Sequence, residues 1–166
     1  MSQTPSPNSD PREIYFQMRE IAFGLTRDKL HLAGATKPLE PFGVILEMGM
    51  DRGAATLVTF ADGTASLYFS TGGGFIGGQG QPTVNAAAKR VVAEAVQFVQ
   101  MMTPVSSFPL PQVGQHVLYA FTDKGVWSSS GHEKDFASAR HPLTPLWMAC
   151  QNVITQFRLL RTSPPK

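Results

Sequence analysis

The chain has little cysteine, little charge and no long apolar run, and each of these shortages excludes a class of protein. Its single cysteine, Cys150, excludes an internal disulfide framework. No apolar run approaches the roughly 18 residues that a bilayer-spanning helix needs. Residues 1–9 have neither the basic nor the apolar region of a signal peptide. We therefore expect a cytoplasmic protein that makes no membrane contact.

Charge is scarce and nearly balanced. Charged residues are 16% of the chain, where about a quarter is usual. Lys and Arg number 14 and Asp and Glu number 12, which gives a net charge of +2. The basic residues Arg158, Arg161 and Lys166 form only a loose C-terminal group, too thin for a nucleic-acid footprint. A surface poor in charge favours self-association, so we expect a homodimer that does not bind nucleic acid.

Apolar spacing and turn residues predict one folded domain, residues 10–162, between a disordered leader at 1–9 and a tail at 163–166. Asp10 precedes Pro11 as a helix cap, and Asp62-Gly63 is a hairpin signal. The predicted elements are a helix from Pro11 with the apolar stripe Ile14, Met18, Ile21 and Leu25, strands at Val44–Met48, Ala55–Phe60 and Ala65–Ser70, a helix at Pro82–Met102, strands at His116–Phe121 and Val126–Ser129, and a helix from Thr144.

This order, α-β-β-β-α-β-β-α, predicts a two-layer α+β fold. It combines a mainly antiparallel five-stranded sheet with three helices on one face. The order resembles that of small profilin-like and Roadblock-like modules, with one more strand before the middle helix than these usually have. The resemblance implies a module of a kind that often dimerises.

The most unusual stretch is the glycine segment, residues 71–80, which has six glycines between residues 72 and 80. Each glycine costs entropy to order, so a loop that orders six of them has an unusual shape. Phe75 and Ile76 are large apolar residues at its tip, and they either tuck under the loop or meet a partner. The candidate ligand- or partner-binding residues are Thr71, Gly72, Gly73, Gly74, Phe75, Ile76, Gly77, Gly78 and Gln79.

The start of the glycine segment matches the G-x-G-x-x-G pattern of dinucleotide-binding turns. The context contradicts that function, because Gln81-Pro82 delays the helix and the preceding strand belongs to an antiparallel meander. A weaker alternative stays open, in which backbone amides beside the helix N-terminus bind a phosphate or carboxylate. The side chains that add donors there are Thr71, Gln79 and Thr83.

Other polar residues give weaker signals. The densest group, between residues 131 and 141, contains His132, Glu133, Asp135 and His141. Their spacing matches no zinc-ligand pattern, so we expect a solvated loop and neither a metal nor a cofactor. Cys150 lies among apolar neighbours and is expected to be a buried, unreactive thiol. Glu47 is expected to face solvent from its strand, with a buried acid as the alternative.

These observations leave two hypotheses for the function. The first is a non-catalytic binding or regulatory protein that acts through protein–protein contacts of the glycine segment. The second is a protein, with or without enzyme activity, that uses the loop at residues 72–80 to bind a small molecule or a phosphate, with His132 or His141 as further candidates. The sequence does not decide whether the chain is an enzyme.

Overall fold

The computed structural model describes residues 9–162 and places seven strands of this part in one antiparallel sheet. The sheet order is β4-β3-β2-β1-β6-β7-β5. The strands are β1 Gly43–Met50, β2 Gly53–Phe60, β3 Ala65–Phe69, β4 Gly74–Phe75, β5 Thr103–Val105, β6 Gln115–Thr122 and β7 Gly125–His132. The helices are α1 Pro11–Phe23, α2 Pro82–Ala95, α3 Glu133–Ala137 and α4 Thr144–Thr162.

The predicted α+β class is confirmed, but the predicted counts of five strands and three helices are wrong for the described residues. Strands β4 and β5 have two and three residues, too few for a periodic pattern to reveal. Helix α3 has five residues and begins where the His132 side chain accepts a hydrogen bond from the Lys134 amide. The predicted leader, apart from Ser9, and the tail at 163–166 lie outside the described residues. The domain bounds 10–162 stay a prediction.

The middle helix is shorter than predicted. Helix α2 ends at Ala95, and a separate 3₁₀ turn covers Val99–Met101. Val99 and Met102 are nevertheless buried. The apolar pattern of the sequence extends past the end of α2 because the 3₁₀ turn keeps Val99 and Met102 in the core that α2 also packs against.

Helices cover both faces of the sheet, so the predicted two layers with all helices on one face are wrong. Helices α2 and α4 pack on the face that carries Val44 and Leu46 of β1. Helix α1 lies on the opposite face, where Ala22 packs in the core that contains Ile45. The predicted α1 stripe is also wrong as a buried face, because Tyr15 and Ala22 are buried while Ile21 is 62% exposed.

A buried ion pair joins α1 to the central strand. Glu47 is fully buried, and its carboxylate accepts hydrogen bonds from Arg19 Nε at 2.6 Å and Arg19 Nη2 at 2.9 Å. Strand alternation places Glu47 on the same face as Ile45, and α1 covers that face. The expectation that Glu47 faces solvent is therefore wrong.

Neighbouring groups complete this network. The Thr56 hydroxyl donates to Glu47 at 3.1 Å and therefore accepts from the Tyr15 hydroxyl, 2.7 Å away. Arg19 Nη2 also donates to the Phe108 carbonyl at 2.6 Å. Burial, followed by the negative charge of Glu47, raises the pKa of Tyr119 to about 12. The network therefore holds both α1 and the segment before β6 against the sheet. The Tyr119 phenol near this network stays protonated at neutral pH.

We expect Arg19→Ala to lower the free energy of unfolding by about 3–5 kcal/mol, because it leaves the Glu47 carboxylate buried without its partner. Urea unfolding monitored by circular dichroism measures this loss. Arg90→Ala is the matched control, since Arg90 pairs with Glu94 on the surface of α2. That variant is expected to change stability by at most about 0.5 kcal/mol. Equal small losses in both variants would contradict the role given to the buried pair.

Candidate functional site

The glycine segment forms an ordered edge of the sheet. Gly74 and Phe75 form β4, which pairs with Tyr68 and Leu67 of β3. A short 3₁₀ turn, Gly78–Gly80, then leads into α2. The segment is therefore held by sheet hydrogen bonds and by a following turn.

Two of its glycines have clear structural reasons. Gly74 has a φ of +151°, and a Cβ there would lie 2.1 Å from the Leu67 carbonyl oxygen. Gly78 is buried, and a Cβ there would lie within 3 Å of atoms of Val84, Ala65 and Phe157. These glycines are thus required by the close approach of β3 and of the core, whether or not the segment binds a ligand.

Phe75 and Ile76 lie on opposite sides of the edge. The Phe75 ring stacks on Phe157 of α4 with the ring centroids 5.1 Å apart. Ile76 is 71% exposed. The two side chains therefore differ: Phe75 packs against the core, and Ile76 is exposed to solvent. The alternation of side chains along an extended chain explains this separation.

A recess lies beside each of these side chains. The first, which we call the edge recess, has a volume of about 390 Å³ between α1 and the glycine segment. Its lining includes Ile14, Met18, Tyr68 and Ile76. The second, which we call the α4 groove, has a volume of about 690 Å³ between α4 and the end of the sheet. Phe75 lines the α4 groove, so the glycine segment borders both recesses.

Of the polar candidates of the segment, Gln79 has a local structural role. The Gln79 side chain donates to the Asp62 carbonyl at 3.2 Å, and the Gln79 carbonyl accepts from the Asn85 side chain at 3.0 Å. Thr71 is exposed. Gln81 stands at the N-cap of α2 and makes no side-chain capping bond. An anion site at this helix end therefore stays a prediction.

The polar group between residues 131 and 141 is built into secondary structure. His132 ends β7 and caps α3. The His141 ring stacks on the Phe136 ring with the ring centroids 4.1 Å apart. His141 Nδ1 accepts a hydrogen bond from the Leu143 amide at 3.1 Å. The expected solvated loop is thus the end of a strand followed by a short helix. Within residues 9–162, no three His, Cys, Asp or Glu side chains gather closely enough to hold a metal ion.

His116 is a buried residue whose environment the sequence did not reveal. Trp147 Nε1 donates to His116 Nδ1 at 3.0 Å. An indole N–H only donates, so Nδ1 carries no proton and the ring is neutral. Burial lowers the pKa of His116; Glu133 opposes this shift and His132 adds to it. The ring borders the α4 groove as a neutral group.

Comparison with known proteins gives no relative, because no protein-family model, curated protein or solved structure matches this chain. The resemblance to profilin-like and Roadblock-like modules remains one of element order. In residues 9–162, no helix has the length and apolar character needed to cross a bilayer.

We expect the stability of the protein to fall as the pH drops from 7.5 to 5.5, partly through His116. The pKa of His116 is lower in the folded state, so the unfolded state binds more protons as the pH falls. Each unit of pH decrease then lowers the free energy of unfolding by up to about 1.4 kcal/mol. His116→Asn keeps an acceptor for Trp147 and removes this titration. Urea unfolding at both pH values is expected to show a smaller loss in the variant. Identical pH dependence in the two proteins would contradict the prediction.

We expect Cys150 to react slowly with a thiol reagent in the folded protein. Its side chain is fully buried, and burial, assisted by the negative charge of Glu94, raises the pKa of the thiol. Labelling with a chromogenic disulfide reagent, with and without urea, measures the difference. Folded protein that reacts as fast as unfolded protein would disprove this expectation.

Proposed function

We propose that this protein is a non-catalytic binding domain that acts through protein–protein contacts, and that its partner is a second copy of the same chain. The observation that carries the proposal is the exposed Ile76 standing beside the edge recess. A projecting side chain next to a recess is self-complementary under a two-fold axis, because each copy then inserts its Ile76 into the edge recess of the other copy. This geometry supports a symmetric dimer.

The surroundings of the recess are apolar. Ile14 and Met18 of α1 line it and are only partly buried. Ile21, one turn further along α1, is mostly exposed. Exposed apolar groups that lie together are typical of a surface that is covered in an assembly. The low share of charged residues in the chain supports the same proposal.

The edge position of β4 adds to this support. In the described sheet, β4 pairs only with β3, and its other side has no neighbouring strand. Unpaired strand edges readily accept another chain. The dimer contact we propose therefore combines the edge at Gly74–Phe75 with the Ile76 side chain.

The non-catalytic part of the proposal rests on what the reactive side chains do. Glu47 is held by Arg19, and Cys150 is enclosed in the core. His116 accepts from Trp147, and His132 caps α3. Each of these groups has a structural partner or a structural position. A single buried thiol also suits the reducing cytoplasm, which is the location we propose.

We expect Ile76→Ser to weaken self-association by at least about tenfold, because it removes the apolar side chain that fills the partner's recess. Analytical ultracentrifugation over a wide range of protein concentrations measures the monomer–dimer equilibrium. Serine at Phe75 is unsuitable for this test, since that ring stacks on Phe157 in the core.

Met101→Ser is the matched control, since Met101 is 56% exposed in the 3₁₀ turn after α2 and does not line the edge recess. It is expected to leave association unchanged. A wild type that stays monomeric at every concentration would reject the homodimer. An Ile76→Ser variant that dimerises like the wild type would reject Ile76 as its contact.

A further inference from the structure

The α4 groove has the size and lining of a small-molecule site. Its volume of about 690 Å³ falls within the roughly 300–1,000 Å³ that is usual for ligand pockets. The groove opens on the sheet face opposite α1, whereas the edge recess lies beside α1, and Phe69 borders both. Its apolar wall and floor are formed by Met48, Ala55, Leu67, Phe69, Phe75 and Ile154.

Two arginines of α4 line the groove next to this apolar surface. Arg158 and Arg161 line the groove and lie one turn apart on α4, so they share a face of the helix. The Arg161 guanidinium lies 5.6 Å from the centroid of the Phe75 ring. Within residues 9–162, the ion pairs involve Arg19, Arg27 and Arg90, and neither groove arginine has a carboxylate partner there.

The charges around the groove determine which end of it favours an anionic group. The acidic residues of the lining, Asp51 and Glu133, lie on the β1–β2 turn and on α3, whereas both arginines lie on α4. His116 contributes no charge there when it is neutral. A single anionic group therefore binds best at the α4 side, where a guanidinium donates two parallel hydrogen bonds to a carboxylate.

We propose that the α4 groove binds an amphipathic carboxylate, a fatty acid whose aliphatic chain covers the apolar floor and whose carboxylate pairs with Arg158 and Arg161. The floor consists of aliphatic and aromatic side chains with few hydrogen-bond donors, which suits an alkyl chain and does not read the polar edges of a nucleotide base. The negative head group complements the positive charge of the two arginines. This site and the Ile76 contact proposed above lie on opposite faces of the sheet, and they share Phe69 and the Gly74–Phe75 edge as a common border.

Isothermal titration calorimetry with decanoate, below its micelle concentration, tests the proposal. We expect saturable binding that strengthens by about fourfold per methylene from hexanoate to decanoate. Acetate is expected not to bind, and decanol is expected to bind at least about tenfold more weakly than decanoate because it lacks the charge. Absence of saturable decanoate binding, or equal affinity for decanol, would overturn the proposal.

The Arg158→Gln/Arg161→Gln double variant identifies the head-group site. Both arginines are exposed, so the fold is expected to survive, and circular dichroism checks that it does. Decanoate affinity is expected to fall by at least about tenfold, to the level of decanol, while Arg90→Gln on α2 leaves it unchanged. Unchanged affinity in the double variant would refute the pairing. Ile76→Ser is expected to bind decanoate normally, so failure of the dimer and failure of this site are distinguishable.

Discussion

The arrangement of the fold depends on a carboxylate that the central strand carries into the interior. Removing Glu47 from water costs several kcal/mol, and only a partner with good geometry compensates for that cost. Arg19 supplies two hydrogen bonds, and Thr56 supplies a third. Because Arg19 lies on α1, the charge of Glu47 determines where α1 packs. The same guanidinium holds the Phe108 carbonyl, so the segment before β6 is fixed by the same interaction.

This constraint explains why α1 does not bury its most apolar stripe. To present Arg19 to Glu47, the helix turns Tyr15 and Ala22 toward the sheet. Ile14 and Met18 are then rotated away by about a quarter of a turn, toward the glycine segment, with which they line the edge recess. An electrostatic requirement in the core has therefore left apolar area at the surface, next to Ile76. The edge recess results from that rotation.

The sequence predicted the elements with long periodic patterns and failed where a long-range partner decides the outcome. The start of α1 was predictable, because Asp10 caps it through a local bond to the Arg12 amide. The hairpin between β2 and β3 was also predictable, because the turn signal Asp62-Gly63 lies between these strands. The burial of Glu47 was not predictable, because its partner lies 28 residues away. The glycine segment was identified as a special structure, but its division into a sheet edge and two recesses depends on β3, α1 and α4.

The two surfaces we assign are close in sequence but lie on opposite sides of the sheet edge, because the side chains of Phe75 and Ile76 alternate. Phe75 belongs to the α4 side, where it stacks on Phe157 and faces Arg161. Ile76 belongs to the α1 side, where it borders the edge recess and is mostly exposed. Gly74 and Gly77, which flank Phe75 and Ile76, have positive φ and allow the chain to turn sharply on both sides of this pair. The segment can therefore present one apolar residue to each side of the sheet edge, and a change at Ile76 removes contact area without disturbing the aromatic stack that closes the groove.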